Sequence, residues 1–351
     1  MPRFIRQLAW FVAVIGGVIC AAPAARAQGN WVKLAPFPEP AEEISGASAG
    51  GKMYVFAGLA PVWKPVGMVY EYDPASNRWA KKKSMALPSH HVAFTTYRDR
   101  IYAFGGFVLP ESGPPGWVPI HNAWEYDPAA DTWKALAPMP SKRGSALAAV
   151  VNDKIYVVGG ATTIPGSKET ALFPTHPHIS VGTIEEYDPA ANTWRERSAM
   201  PTPRNHAAIG VVAGKIYVIG GRVGAAFIGL ASDISVVEEY DPATDQWSGP
   251  RARMPIARSA IGAAVYRGRI YVAGGEYQDP HMMATFRAVE AYDPASNTWS
   301  EMPPMPVPRH GLAVGVIGNQ LHVISGDVQS AGTGVEVSTG EHDAFEFSPG
   351  P

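Results

Sequence analysis

The segment EEYDPAANTW (185–194) decides the fold, because closely related segments occur at four other places in the chain. They are EYDPASNRW (71–79), EYDPAADTW (125–133), EEYDPATDQW (238–247) and EAYDPASNTW (290–299). In every copy a Trp follows the Tyr by seven residues. The Asp-Pro-Ala-x-(Asn/Asp) segment between them is typical of a tight turn, because Pro fixes φ and Asx side chains hydrogen-bond the local backbone. Each copy therefore predicts a hairpin, and its spacing does not match a 12-residue calcium loop.

Two more strand signals precede each hairpin. The first is a run of small apolar residues, such as Ser145–Val151 or Ala207–Val212. The second ends in a glycine pair and reads KIYVVGG (154–160), KIYVIGG (215–221) or RIYVAGG (269–275). Four strands that recur with a period of about 50 residues predict a propeller.

The glycine pair, the spaced Tyr and Trp and the Met-Pro that follows together resemble the Kelch repeat. The resemblance covers essentially residues 30–351 and implies an all-β, six-bladed Kelch β-propeller with four antiparallel strands per blade. The predicted blades are approximately 39–83, 84–137, 138–198, 199–252, 253–303 and 304–351, with a closing strand at 30–35.

The closing strand is predicted because the last repeat is divided between the two ends of the sequence. Phe345-Glu346-Phe347 replaces the Tyr segment there, and no Trp follows it. Trp31 precedes Pro38 by seven residues, as Trp194 precedes Pro201. A ring closed in this way has no exposed sheet edges.

The N-terminal residues are typical of a signal peptide. Arg3 and Arg6 precede an apolar run that starts at Leu8, and Ala25-Arg26-Ala27 is a small-x-small cleavage site. We therefore expect a signal peptide at 1–27, cleavage after Ala27 and a periplasmic or secreted domain at 28–351. An uncleaved anchor is the alternative, since the run approaches the roughly 18 apolar residues of a membrane span.

Charge and cysteine content exclude some functions. The formal net charge is −2, so the sequence predicts no nucleic-acid or membrane partner for the mature chain. The single cysteine, Cys20, lies in the predicted signal peptide. A mature chain without thiols suits an oxidising compartment and excludes the Tyr–Cys chemistry of the copper-radical Kelch oxidases. We expect no cofactor.

The irregular sequence falls in the connections between second and third strands, whereas the other turns of each blade are minimal. Because variable loops on a rigid scaffold carry function, we expect any site on the face that these loops share. They are 59–68, 107–121, 161–182, 222–235, 276–287 and 327–341.

Four arginines follow the Met-Pro pairs at the entrances of inner strands: Arg143, Arg204, Arg258 and Arg309. We expect them to ring the axial mouth. In the eukaryotic Kelch substrate adaptors, arginines in this region hold acidic peptides, so the resemblance implies a ligand that carries a carboxylate. The alternative is a structural role, because the arginines repeat.

Other candidate ligand-binding residues do not repeat. They are His90, His206 and His310 on inner strands and Trp63 and Trp117 in loops. The tryptophans suit stacking on a sugar ring or, alternatively, capping a neighbouring blade. The His-x-His segment at 176–178 is a weak transition-metal signal that lacks further ligands, so no metal site is predicted.

These features predict an exported binding module for an anionic small molecule, a glycan or an acidic peptide, with a protein as a further possible partner. An enzyme is the alternative. The exported sialic acid (N-acetylneuraminate) mutarotases are six-bladed Kelch proteins with a Glu after a blade's Gly and an Arg before its third strand. Glu276 and Arg287 occupy similar places here. The resemblance implies that Glu276 is a general acid/base and that Arg287 holds the substrate carboxylate.

Overall fold

The computed structural model describes residues 29–61 and 63–348, so the predicted signal peptide lies outside the described residues. The described chain forms six four-stranded antiparallel sheets, as the repeat predicted. Its helical content is two short 3-10 turns, Ile228–Leu230 and Ala331–Thr333. None of the helices in these ranges has the length and apolar character needed to cross a bilayer.

Each blade runs from an inner strand near the axis to an outer strand. The first strand is β1 (Gly29–Lys33), and blade 1 consists of β2 (Glu42–Ala49), β3 (Lys52–Ala60), β4 (Lys64–Asp73) and β5 (Arg78–Lys81). Blade 2 contains β6 (Ala93–Tyr97) and β7 (Arg100–Phe104), a loop ribbon of β8 (Phe107–Val108) and β9 (Val118–Pro119), then β10 (Ala123–Asp127) and β11 (Thr132–Ala135). Blade 3 contains β12 (Leu147–Val151) and β13 (Lys154–Val158), the ribbon β14 (Ala161–Thr163) and β15 (His178–Ser180), then β16 (Ile184–Asp188) and β17 (Thr193–Arg197).

The remaining blades repeat this plan. Blade 4 contains β18 (Ala208–Val212) and β19 (Lys215–Ile219), the ribbon β20 (Arg222–Val223) and β21 (Ser232–Asp233), then β22 (Val237–Asp241) and β23 (Gln246–Trp247). Blade 5 contains β24 (Gly262–Tyr266) and β25 (Arg269–Ala273), the ribbon β26 (Glu276–Gln278) and β27 (Met283–Thr285), then β28 (Val289–Asp293) and β29 (Thr298–Glu301). Blade 6 contains β30 (Ala313–Ile317), β31 (Gln320–Ile324) and β32 (His342–Phe347).

The N-terminal strand closes the ring, and this prediction is confirmed. β1 pairs with β32, so blade 6 has the order β1-β32-β31-β30. Trp31 lies opposite Phe345 in the register, and the two rings meet edge to face with centroids 5.4 Å apart. Every blade therefore has four strands, although one of them comes from the other end of the chain.

The repeated hairpin fastens each blade to the one before it. The buried Tyr hydroxyl donates to the Asx residue five positions later, at 2.6–2.8 Å in all five copies. The same Asx oxygen accepts a backbone N–H from the end of the preceding blade, as when Asn192 accepts from Ala137. The Trp indole donates to the carbonyl of that same residue, as Trp194 does to Ala137. The Tyr-Asx-Trp set thus recurs at five of the six blade–blade junctions, and at the sixth the Trp31 indole donates to the Pro303 carbonyl.

The glycine pair ends the second strand where neighbouring blades approach closely. Gly159 and Gly160 have φ of 66° and 110°, a region that side chains disfavour. A Cβ on Gly159 would lie 2.7 Å from the carbonyl oxygen of Arg204 in the next blade. Blade–blade packing continues outward from there, where Phe104 of blade 2 packs against Val157 of blade 3.

Candidate functional site

The entrances of the six inner strands meet at the axis on the loop-rich face. One residue from each blade stands there with a left-handed backbone, with φ between 50° and 59°. We call these residues the axial ring: Glu43, His91, Ser145, His206, Ala260 and Gly311. Backbone hydrogen bonds connect neighbours in the ring, as Ser145 N–H donates to the His91 carbonyl. Because the backbone repeats and the side chains do not, the ring can carry a site specific to this chain.

The four repeated arginines lie just outside the axial ring and are almost fully buried. Each guanidinium forms an ion pair with an acid on the third strand of its own blade. The pairs are Arg143–Glu185 (2.6 Å), Arg204–Glu238 (2.6 Å), Arg258–Glu290 (2.7 Å) and Arg309–Asp343 (2.5 Å). Each arginine carbonyl also accepts an N–H from the preceding blade's glycine pair, as Arg204 does from Gly160. This is the geometry of the structural alternative.

The sequence of the two other blades agrees with that geometry. Blades 1 and 2 have Ala41 and Ser89 at the arginine position. At the position of the acid, two residues before the conserved Tyr, they have Tyr70 and Trp124. The arginine and its acid are therefore present together or absent together, as expected when each neutralises the other in a buried site.

A cavity of about 450 Å³ opens on the loop-rich face above the axial ring. Its wall is mostly apolar and includes Trp63, Trp117 and Phe227. Its polar floor is built from residues of different blades: Glu42, Glu43, His91, Arg222, His310 and Asp327. We call this cavity the axial pocket. Mostly apolar walls with a few convergent polar groups are typical of small-molecule sites.

His310 is the positively charged centre of one side of this floor. Its Nε2 lies 3.4 Å from Glu42 Oε2 and 3.8 Å from Glu276 Oε1. Burial opposes the charge on His310, but the carboxylates of Glu276, Glu42 and Glu43 raise its pKa to about 10. Burial raises the pKa of Glu42 to about 7. The surrounding carboxylates therefore favour the charged imidazole of His310 at the floor of the axial pocket.

Glu276 lies at the edge of this floor and is fully buried. Arg222 donates to its Oε1, while the Ser330 hydroxyl (2.9 Å) and the Ala331 N–H (2.8 Å) donate to its Oε2. Glu276 thus joins blades 4, 5 and 6 below the pocket. The backbone of Arg287 lies beside Gly275, but its side chain is exposed and its Nε donates to the Met305 carbonyl at 2.5 Å. The side chains of Glu276 and Arg287 therefore have separate partners.

The other residues predicted for the site lie around the pocket. Trp117 is buried against Phe227, with ring centroids 4.2 Å apart, whereas Trp63 is half-buried and faces the cavity. His90 is buried below Trp117, and burial lowers its pKa well below the usual value. His206 belongs to the axial ring. Its pKa is also lowered well below the usual value, by burial and by the charge of Arg222.

One group of side chains in the described part of the chain has metal-ligand types at close range. Glu43, His91 and His206 each place a ligand atom within 4.8 Å of the others. Both ring nitrogens of His178 are engaged instead, since Nδ1 donates to the His176 carbonyl and Nε2 accepts from the Ala226 N–H. The His-x-His segment therefore contributes nothing to this group.

Glu42, Glu43, Arg222 and Asp327 were not among the residues predicted from the sequence. They come from blades 1, 4 and 6, and no local motif marks them. Aligning the six repeats would have revealed Glu42 and Glu43, because the same positions are uncharged or histidine in the other blades. Arg222 and Asp327 share with Glu276 the position directly after that of the glycine pair, and this position is uncharged in the other three blades.

Comparison with protein families gives matches along most of the chain. Residues 181–326 match the model described as KLHDC2/KLHL20/DRC7 Kelch-repeats domain. Residues 44–86 and 88–140 match one Kelch motif model, and residues 142–201 match a second.

Curated proteins with Kelch names are similar to this chain. Kelch-like protein terF of Aspergillus terreus is 29% identical over 302 residues, which cover 84% of this chain and 62% of that protein. Human Kelch-like protein 15 is 30% identical over 257 residues, covering 70% of this chain and 40% of that protein. Beta-scruin of Limulus polyphemus is 28% identical over 265 residues, covering 74% and 27% respectively. The chain thus spans less than two thirds of the length of each of these relatives.

Proposed function

The chain belongs to the Kelch-repeat β-propeller proteins, and from that premise we propose that it is a binding module whose ligand enters the axial pocket on the loop-rich face. The observation that carries the proposal is the pocket itself. A cavity of about 450 Å³ is within the range of small-molecule sites. The opposite ends of the blades carry only short turns. The cavities of about 500 Å³ in the axial channel and about 570 Å³ at those turns are more open to solvent than the axial pocket.

The lining favours a hydroxylated, glycan-type ligand. Trp63 presents a half-buried aromatic ring at the wall, and Trp117 and Phe227 support it from behind. Aromatic faces pack well against the apolar faces of sugar rings, while the carboxylates and imidazoles of the floor are hydrogen-bond partners for hydroxyl groups.

An anionic ligand receives less support. The four arginines on which that expectation depended have acidic partners at 2.5–2.7 Å and are almost fully buried. In the pocket floor, Arg222 is itself paired with Glu276. A ligand that donates hydrogen bonds to Glu42, Glu43 and Asp327 fits this charge arrangement better than one that adds a carboxylate.

A thermal-shift screen tests the proposal, because a ligand that binds the native state raises the melting temperature. The panel contains neutral glycans, amino sugars, sialic and uronic acids and acidic peptides. Any hit is then titrated calorimetrically with wild type, Trp63→Ala, Trp63→Phe and the opposite-face control Arg98→Ala. We expect glycan-type hits, about tenfold weaker binding for Trp63→Ala, and near-normal binding for Trp63→Phe and Arg98→Ala. No hit, or a hit indifferent to Trp63→Ala, contradicts the proposal.

A protein partner is the second candidate, and exposed apolar side chains on the loop-rich face favour it. Leu230, Met283 and Val335 are exposed to 51%, 53% and 58% on three neighbouring loops of this face. An apolar side chain of a partner seated among them would bury this surface. A complex that forms in a pull-down with wild type and is lost in Leu230→Ser/Val335→Ser, but kept in Arg98→Ala, would support this candidate.

The sugar-acid mutarotase remains the enzymatic alternative. It requires Glu276 and Arg287 to face one substrate, whereas Glu276 is buried with three donors and Arg287 contacts Met305. Exchange NMR on sialic acid anomers measures that activity directly.

We also propose that the protein is exported, on the basis of Arg3, Arg6 and the Ala25-Arg26-Ala27 segment. Intact-mass measurement of full-length protein expressed in a Gram-negative host is expected to give an N-terminus at Gln28 in the periplasmic fraction. Ala25→Lys/Ala27→Lys should retain the uncleaved chain. An uncleaved wild-type protein in the cytoplasmic fraction would contradict the proposal.

A further inference from the structure

The axial ring contains two histidines and one glutamate that converge from three different blades. Glu43, His91 and His206 come from blades 1, 2 and 4, yet one ligand atom of each lies within 4.8 Å of the other two. Donor atoms around a tetrahedral ion bound at about 2.0–2.1 Å are themselves roughly 3.3 Å apart, so small side-chain rotations would close the gap. From this convergence we infer that Glu43, His91 and His206 form a binding site for one divalent transition-metal ion at the floor of the axial pocket.

Asn205 already orients the His206 ring as a ligand. Asn205 Nδ2 donates to Ser180 Oγ (2.7 Å) and to the Ala225 carbonyl (2.9 Å), which points Oδ1 of the amide at His206 Nδ1. Nδ1 must therefore carry the hydrogen, and Nε2 presents its lone pair towards the ring, where the Ser145 hydroxyl lies 3.2 Å from it. A neighbouring carbonyl oxygen that fixes the tautomer in this way is a regular feature of metal-bound histidines.

His91 is oriented in a similar way. Its Nδ1 lies 2.5 Å from Nδ1 of the buried His90, and its Nε2 lies 3.0 Å from Glu43 Oε2. Within the described residues, the ion-pair contact of Glu43 is with His91, whereas Arg222 is engaged by Glu276. A buried imidazole nitrogen and a carboxylate oxygen that face each other form half of an N/O ligand set, and a cation placed between them would satisfy both.

The three residues hold equivalent positions in the axial ring. Glu43, His91 and His206 have φ of 52°, 54° and 50°, and the other ring residues share this left-handed conformation. The repeated backbone therefore directs the ring residues towards one axis, and in three blades their side chains carry metal-ligand atoms.

Two of the three remaining ring positions leave room for a ligand on the metal, while the Ser145 hydroxyl contacts His206 Nε2 and would move aside for the ion. Ala260 and Gly311 contribute no donor side chain on their side of the ring. Glu43 and His91 also line the axial pocket, so an ion held there would be open to a molecule bound in the cavity. Two imidazoles and one carboxylate suit Zn²⁺, Co²⁺ or Fe²⁺ rather than the oxygen-only preference of Ca²⁺ or Mg²⁺.

The test is metal binding by the purified, chelator-treated protein, with no other ligand present. Calorimetric titration with Zn²⁺ is expected to show one site per chain, and Co²⁺ is expected to give the visible absorption of a low-symmetry N/O site. Ca²⁺ should not bind. Removal of one ligand by His91→Ala or His206→Ala should weaken Zn²⁺ binding by more than about 100-fold. Loss of a residue that only hydrogen-bonds a metal ligand already lowers metal affinity about 10–100-fold.

Two further variants keep the result interpretable. Glu43→Gln preserves shape and should also weaken Zn²⁺ binding, even if a histidine variant fails to fold as judged by circular dichroism. His176→Ala removes an exposed histidine of the His-x-His loop and should bind Zn²⁺ like wild type. The inference is overturned if wild type shows no stoichiometric Zn²⁺ or Co²⁺ binding, or if binding survives in both Glu43→Gln and His91→Ala.

Discussion

Arg258 and Glu290 form a buried ion pair that joins the entrance of an inner strand to the third strand of the same blade. Nη1 of the arginine lies 2.7 Å from Oε2 of the glutamate, and the two side chains are only 0% and 4% exposed. Its counterparts occur in three other blades, so the pair belongs to the construction of the repeat. Desolvation of two such charges is costly, and their separation would be costlier still.

Arg258→Met should therefore reduce the free energy of unfolding by about 3–5 kcal/mol, because it leaves Glu290 buried without a partner. Urea denaturation measures this loss. The double variant Arg258→Met/Glu290→Leu should recover much of it, since blades 1 and 2 already replace the pair with uncharged residues. If Arg258→Met keeps full stability but loses ligand binding, the arginine is functional after all.

The closing strand gives a second prediction. Trp31 packs on Phe345, and its indole Nε1 donates to the Pro303 carbonyl at 2.9 Å. Because Trp31 is half-buried, Trp31→Ala should lower the free energy of unfolding by about 2–3 kcal/mol, below the usual cost for a fully buried Trp.

Trp133→Ala is the matched control, because Trp133 holds the same position in blade 2 and donates to the Lys83 carbonyl. Similar losses of unfolding free energy in the two variants would show that the outer Trp stabilises the blade closed by β1 as much as it stabilises a blade formed by continuous chain. Unchanged unfolding of Trp31→Ala would contradict the closure.

The fold could be predicted from the sequence because its determinants are close together along the chain. Tyr187 bonds Asn192 five residues later, and Trp194 completes the same junction. Repeating this short set five times specifies five of the six blade junctions, and Trp31 with Phe345 completes the sixth. Only the arginine–acid pairs were left undecided. The sequence also contained the observation that favours a structural role for these arginines, since the blades without the arginine lack the acid as well.

The site could be predicted only in part. Glu276 and His310 were recognised as residues that depart from the repeat, but Glu42 and Glu43 belong to blade 1 and meet His310 only after the ring closes. Side chains that converge from distant blades leave no spacing pattern. Glu276 also gave a misleading signal, because Arg287 lies beside it in the backbone but directs its side chain to the Met305 carbonyl.

A pH effect on stability is expected from His322 and His342, far from the axial pocket. His322 Nδ1 lies 2.9 Å from His342 Nε2, and His342 Nδ1 lies 3.1 Å from the Ala35 carbonyl, an arrangement that two neutral rings satisfy. Burial lowers the pKa of His322 to about 4. Burial, together with the charges of His322 and Arg309, lowers the pKa of His342 to about 3.

Both pKa values lie below the ordinary value of 6.5, so the unfolded chain takes up protons first as the pH falls. The stability that these rings contribute is complete above about pH 6.5 and is lost progressively towards pH 4 and below. Each histidine adds up to about 1.4 kcal/mol per pH unit to the fall of the unfolding free energy with decreasing pH. Urea denaturation at several pH values between 7 and 4 measures how the unfolding free energy depends on pH. This pH dependence should be weaker for His322→Gln/His342→Gln than for wild type, and unchanged for His176→Ala, the control at an exposed histidine. Equal pH dependence in all three proteins would contradict the assignment.

The last prediction concerns Glu276, whose two alternative roles differ in their observable consequences. As an anchor, Glu276 holds Arg222 of blade 4 and the Ser330–Ala331 turn of blade 6. Glu276→Gln would leave the Arg222 charge buried without its partner and should lower the free energy of unfolding by about 3 kcal/mol. It should also speed amide hydrogen exchange in the 327–341 loop, because the amide can satisfy fewer of the donors that now converge on the carboxylate.

As a general acid/base, Glu276 would instead make wild type accelerate the exchange of sialic acid anomers, and Glu276→Gln would abolish that acceleration without loosening the loop. Arg287→Ala separates the roles further, since Arg287 contacts Met305 rather than Glu276 and should leave loop exchange unchanged. We expect faster loop exchange in Glu276→Gln, no change in Arg287→Ala and no anomer acceleration by wild type. Acceleration that disappears in both variants would establish the enzymatic role and refute the anchor as the purpose of this carboxylate.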